Sequence, residues 1–345
     1  MKRYIPIEHD SSDLPLKKQG IQAYGAKIAN YYNKKEAFYC IERDALFPDS
    51  EVFFSLYAKN DFDYNQILEA SESSPIRLTN ENLNIEGDIA IKINDLHLYD
   101  EYVKSLEKKL KASEFDDKKQ AIILKEKTKL LVKNILSHPK SGENIKEAST
   151  AVEQIINSIL SNNNFLHEFI SLKNHDYYTY IHCVNVAVLS IGLGKFIALL
   201  ESEIFNLGMG ALLHDIGKIA ISPNILNKPG RLTSVEYKIM QNHVMEGVKI
   251  LEENPDFPKP SLTAVAQHHE RLSGNGYPLK LSGAIITKYA KIIAISDTYD
   301  SLTTERPNKL PLIPFEALSI IVNECEHYDS EYLSSFIKLL GRLDE

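Results

Sequence analysis

Leu212-Leu213-His214-Asp215-Ile216-Gly217-Lys218 closes an apolar run that begins at Gly210. It sets an imidazole, a carboxylate and an ammonium within five residues of a helix with a buried pattern. Imidazole and carboxylate are both metal ligands, and neighbours of this kind can share one ion or bridge two. Lys218 adds a positive charge beside any phosphate drawn to such an ion. A lone His-Asp pair also arises by ordinary surface pairing, so its meaning rests on the rest of the chain.

Working outward, the 11 histidines are not spread evenly. His182 lies on an earlier apolar helix where Ile181, Val184, Val188 and Ile191 recur at helical spacing. His243 follows His214-Asp215, and His268-His269 comes next. Asp297 then falls within the apolar stretch Ala290–Thr298, where a bare carboxylate is costly to bury without a partner. Singly, His182 reads equally well as a satisfied core histidine and His243 as a solvent-facing one. Together, these imidazoles and two carboxylates on successive helices exceed the three or four ligands that one zinc takes. They suit two six-coordinate metals bridged by Asp215. Mixed nitrogen and oxygen ligation favours iron, manganese, nickel or zinc over calcium or magnesium.

Residues 144–345 read as mostly helical. Ala148, Val152, Ile155, Ile156 and Ile159 make one apolar stripe. Thr233-Ser234-Val235-Glu236 has capping-box spacing, so a helix should start there and carry His243 on its third turn. Lys228-Pro229-Gly230, Ser273-Gly274-Asn275-Gly276-Tyr277-Pro278 and Arg306-Pro307 mark loops. Residues 101–143 are rich in Lys, Glu and Leu, with Leu124, Leu131 and Ile135 at helical spacing, and Pro139 and Gly142 end the pattern. They predict a helical connector, either paired in a homodimer or packed on its own chain. Residues 1–100 predict a smaller α+β domain of regulatory or sensory type. Its β-prone runs are Tyr4–Ile7, Ala37–Ile41 and Ile89–Ile93, with helix expected around Asp63–Glu72. The fold class is therefore mainly α.

A chain of 345 residues has material for about two cores. A net charge of −8 with no dense Lys/Arg stripe argues against a DNA-tracking surface. Cys40, Cys183 and Cys325 are odd in number and scattered, which points to a reducing cytoplasm rather than a disulfide scaffold. Polar residues from Glu8 interrupt any signal-peptide core, and the most apolar stretch, Val184–Leu200, is too short to span a bilayer, so no membrane is expected.

Across roughly Asp176–Asp329 the motifs resemble, in order and spacing, the HD-GYP family of HD-domain phosphohydrolases. They are Tyr177-Tyr178-Thr179-Tyr180-Ile181-His182, the His214-Asp215 stretch, Ile225–Gly230, His243, His268-His269-Glu270 leading to Gly276-Tyr277-Pro278, Asp297–Thr303, and Arg306-Pro307. The resemblance implies an all-helical HD-type domain that hydrolyses cyclic di-GMP to pGpG or GMP with a metal-bridging hydroxide. By position, His182, His214, Asp215 and Asp297 would hold one metal, and Asp215, His243, His268 and His269 the other. Iron is the first expectation. Tyr178 stands where relatives with a third metal carry Glu, so two metals are implied.

Asp215 and Lys218 take the catalytic roles in this resemblance. Lys218, Tyr277, Asp300, Arg306 and Lys309 are the substrate contacts, with Tyr277 either stacking on guanine or serving as a structural aromatic of the turn. Arg306 has a competing role as a salt-bridge partner of Glu305 or Asp300. The Gly-Tyr-Pro loop implies a diguanylate cyclase (GGDEF) partner. Two positions depart from the family pattern: Ser273 replaces Asp before the first loop glycine, and Asn308 replaces Tyr after Arg-Pro. They leave open a catalytically weak or inactive module that binds cyclic di-GMP or a protein, and a hydrolase acting on another nucleotide.

Overall fold

The computed structural model describes residues 37–60, 63–84, 87–112, 116–139, 141–161, 165–171, 179–228, 230–304 and 311–341. The run Tyr4–Ile7, Tyr178, and the segment holding Arg306, Asn308 and Lys309 lie outside them. The chain divides into two compact units, Met1–Tyr99 and Asp100–Glu345, and the division falls inside one helix, Leu96–Ala112.

The first unit is built on an antiparallel sheet of β1 (Phe38–Ile41), β6 (Asp88–Lys92), β3 (Leu56–Asn60) and β4 (Asp63–Leu68), in that spatial order. A two-stranded ribbon pairs β2 (Glu51–Val52) with β5 (Ile76–Arg77). Ile89, Ala90 and Ile91 are consecutive and all buried, so β6 is covered on both faces. One face packs Cys40, Tyr57, Tyr64 and Ala90 under Phe38, whose ring stacks on Tyr64 at 4.1 Å. The helix expected around Asp63–Glu72 is replaced by β4. Tyr64 pairs with Lys59 and Asn65 with Ala58, so partner-strand hydrogen bonds override a weak local preference. The short α1 (Asn80–Leu83) is closed by a capping box from Thr79 to Asn82.

The second unit is helical among its described residues apart from loops and one isolated bridge, Ser273 to Ser282. After α2 (Leu96–Ala112) come α3 (Asp117–Ser137), α4 (Gly142–Ser161) and α5 (Phe165–Ser171). The α3 helix is not an exposed spacer. Its residues Ala121–Glu126 are buried, and it packs on α4 and α5 and on the central helix α6 (Thr179–Phe196). The stripe from Ala148 to Ile159 on α4 is buried as its spacing requires. The α6 helix has 18 residues and is apolar enough to cross a bilayer by length and composition, five residues longer at its start than the apolar run suggested. It is 78 % buried inside the unit, which makes it a core helix.

Around α6 pack α7 (Glu201–Leu213) and α12 (Lys288–Thr303). Between them in sequence run α8 (Pro223–Leu226), α9 (Ser234–Gln241), α10 (His243–Glu252) and α11 (Lys259–Gln267). The helices α13 (Pro314–Asn323) and α14 (Ser330–Gly341) complete the unit. Thr233 caps α9 through the expected box with Glu236. The helix ends at Gln241, however, so His243 is the first residue of α10 rather than a third-turn residue of α9. The His243 imidazole bonds the Met240 carbonyl at 2.6 Å, in the last turn of α9.

Candidate metal centre

Helix ends supply most of the site. The last carbonyls of an α-helix have no partner within it. His214 and His268 cap α7 and α11, and His243 follows Asn242, the cap of α9. Each donates Nδ1–H to the carbonyl three residues back: His214 to Ala211 at 2.7 Å, His243 to Met240 at 2.6 Å, and His268 to Val265 at 2.7 Å. That bond fixes the tautomer, and the lone pair on Nε2 is left for a cation. His182, the fourth residue of α6, reaches the same state through Asp300, whose Oδ2 lies 2.6 Å from its Nδ1.

Three of these Nε2 atoms face Asp215 directly, and that of His268 stands beside them. Asp215 Oδ2 is 3.5 Å from His182 and 3.3 Å from His214, and its Oδ1 is 3.3 Å from His243. Nε2 of His243 and Nε2 of His268 stand 3.5 Å apart. Asp297 on α12 faces His182 at 3.1 Å with Oδ1 and His269 at 3.7 Å with Oδ2. Two ligand groups result, sharing Asp215: one of Asp215, His243, His268 and His269, the other of His182, His214 and Asp215. Asp297 adjoins both. Nε2 of His214 and Oδ1 of Asp215 are buried and make no hydrogen bond among the described residues. Leaving such atoms without a partner is costly, and cations held by the two ligand groups would satisfy them. The donor set therefore fits a pair of transition metals.

Electrostatics prepare the site for cations. Burial works to raise the Asp215 carboxyl, but Lys218, His214 and His243 outweigh it and hold it well below the usual carboxylate range. Asp297 is likewise held low, with His182 and His269 overcoming burial. Burial pushes His268 well down, helped by His214 and His243, and burial with His268 does the same to His269. Anionic carboxylates and neutral imidazoles are the forms that bind a metal.

Close backbone approach makes this possible at two glycines. A Cβ on Gly217 would fall 1.9 Å from the His243 carbonyl oxygen, and one on Gly276 would fall 2.5 Å from Glu270 Cα. Gly217 lets α10 press against the turn after Asp215, and Gly276 folds the loop back over the His268-His269 turn. The buried Glu270 holds that loop by accepting N–H bonds from Leu279 at 2.7 Å and Leu281 at 2.9 Å. Its position next to His268-His269 in the sequence carries no sign of this role. Tyr277 in the loop stacks on His269 at 4.6 Å, and burial pushes its phenol well up. One ring face is thus already covered, so a guanine would have only the other. Tyr237, half exposed on α9, meets the Tyr277 ring edge-on at 6.2 Å and was not anticipated from sequence.

The structure thus gathers His182, His214, Asp215, His243, His268, His269 and Asp297 into one cluster and lays Lys218 Nζ 2.5 Å from Asp215. It does not present Asp300 to a substrate. Asp300 is 4 % exposed, and its oxygens are taken by His182, by Asn185 at 2.8 Å and by Thr304 at 3.0 Å. The reason is its place three residues after Asp297, one helical turn further along the side of α12 that faces α6. Arg306 and Lys309 lie outside the described residues. Ser273 sits at the exposed outer edge of the loop, with its hydroxyl 2.8 Å from His327 Nδ1.

With this geometry in view, residues 170–332 match the HD domain family. A cyclic di-GMP phosphodiesterase of Pseudomonas aeruginosa is 33 % identical over 225 residues, covering 65 % of this chain and 54 % of that protein. A cyclic di-GMP phosphodiesterase of Thermotoga maritima is 31 % identical over 268 residues, covering 77 % and 63 %. The chain thus spans between half and two thirds of the length of these relatives. A solved structure of an HDG"Y"P protein from Bdellovibrio bacteriovorus superposes with a TM-score of 0.67 over 88 % of this chain and 99 % of that one. At 20 % identity, that likeness speaks for the fold alone.

Proposed function

Because the chain belongs to the HD-GYP family of HD-domain proteins, we propose that it is a metal-dependent phosphodiesterase. It opens cyclic di-GMP to linear pGpG and on to GMP, and residues 1–100 regulate it. The observation that carries this reading is the convergence of Nε2 from His182, His214 and His243 on one shared carboxylate, Asp215, with Nε2 of His268 beside that of His243.

His182, His214, Asp215 and Asp297 would hold one metal, and Asp215, His243, His268 and His269 the other. Iron is the first candidate, ahead of manganese, nickel and zinc. Bound there, such ions supply Lewis acidity toward a phosphoryl oxygen and a nucleophile at neutral pH. The protein does the rest by placement. Asp215 stays anionic in the centre because Lys218 and the imidazoles favour its charge. The Lys218 ammonium stands at the edge of the cluster, where it can also neutralise a phosphate oxygen. Tyr277 shields His269 and offers its outer face to a base.

The enzyme works in the cytoplasm, and its Gly-Tyr-Pro loop is the surface for a GGDEF partner. Ser273, exposed at the outer edge of that loop, favours one second reading: a module that binds the dinucleotide or a protein without turnover. The deciding experiment is elemental analysis of anaerobically purified protein with a cyclic di-GMP turnover assay on the same sample. About two metals per chain and linear product are expected. A metal-loaded protein that binds the dinucleotide and never cleaves it, in both iron and manganese forms, would establish the second reading instead.

A further inference from the structure

His182 differs from three of the other centre histidines in what orients it. His214, His243 and His268 each lean on a neutral backbone carbonyl three residues back. His182 leans on a carboxylate from another helix, 118 residues away in sequence. The arrangement is a reciprocal clamp between α6 and α12. His182 and Asn185, one turn apart on α6, both donate to Asp300. Asp297 and Asp300, one turn apart on α12, address the two ring nitrogens of His182, at 3.1 Å and 2.6 Å. Thr304 gives Asp300 a third donor, and the residue is buried.

A full negative charge behind an imidazole fixes the ring and makes its far nitrogen a stronger donor than a carbonyl does. We propose that Asp300 is a positioning residue that makes the two metal positions unequal, so that the one containing His182 fills first and holds its ion more tightly. This rests on the two-metal reading above. Asn185 is part of the device, since it anchors the second oxygen of Asp300 and keeps the first aimed at His182.

The test is a titration of metal-free full-length protein with Co2+, followed by visible absorption and calorimetry, together with thermal melts. Wild type should fill in two resolved steps. Asp300→Asn, nearly isosteric, should weaken the tight step by about 10- to 100-fold and leave the weaker step in place. Asn185→Ala should shift the same step by less. His269→Ala, on the other position, should shift the weaker step instead. If folded Asp300→Asn titrates like wild type, or loses both steps equally, Asp300 has no selective role and the inference fails while the two-metal reading stands. If wild type binds no Co2+, both fail together.

Discussion

Gly217 and Gly247 meet backbone to backbone: a Cβ added to Gly217 would lie 2.3 Å from the Gly247 nitrogen and 1.9 Å from the His243 carbonyl oxygen. Neither obstacle is a flexible side chain. The contact sets how close α10 can bring His243 to Asp215.

Gly217→Ala should therefore cost about 3 kcal/mol, the upper end of the usual overpacking range, because only backbone can move. In a unit of this size that lowers the melting midpoint by roughly 6–12 °C. Bound metal should fall in parallel, as His243 is pushed off Asp215. A melt within a degree of wild type with full metal content would contradict this.

His214→Ala and Asp215→Asn should each abolish turnover of cyclic di-GMP. Asp215 is common to both ligand groups, so its variant should lose both ions, whereas His214→Ala should keep part of its metal. The loss in affinity should exceed the ~10- to 100-fold typical of removing a group that only orients a ligand. Metal content per chain, read beside turnover, checks the difference.

Acid should destabilise the metal-free protein in two windows. His268 and His269 are pushed well below 6.5 in the fold, so the unfolded chain binds more protons below that pH. Stability then falls as pH drops from about 6.5. Asp215 and Asp297 are held well below 3.8, so their contribution is complete above that value and is lost as pH falls through their lower folded values. Melts of metal-free protein between pH 8 and pH 5 should show the first decline, and a flat profile would refute it.

Glu270→Ala removes the acceptor of two loop N–H groups in a buried place. It should cost about 1–3 kcal/mol and loosen Tyr277 from His269. The expected kinetic signature is a raised KM for cyclic di-GMP with metal content near wild type.

Ser273→Ala should be mild by comparison. It removes one exposed hydrogen bond to His327, worth about 0.5–1.5 kcal/mol at most. Metal binding should not change, because Ser273 is not among the residues that touch the cluster.

The sequence by itself determined what is local or chemical. The Thr233–Glu236 box places the start of α9, the α4 stripe is buried as spaced, and the residue types of the cluster announce a metal site. Only the tertiary structure decided what depends on partners distant along the chain. Asp63–Leu68 is a strand because β3 pairs with it, and Asp300 serves His182 because α12 lies against α6. His243 begins a helix, a break the capping signal upstream could not reveal. Local propensities differ by fractions of a kcal/mol, whereas pairing a strand or a buried carboxylate is worth more, so the distant contact prevails wherever the two disagree.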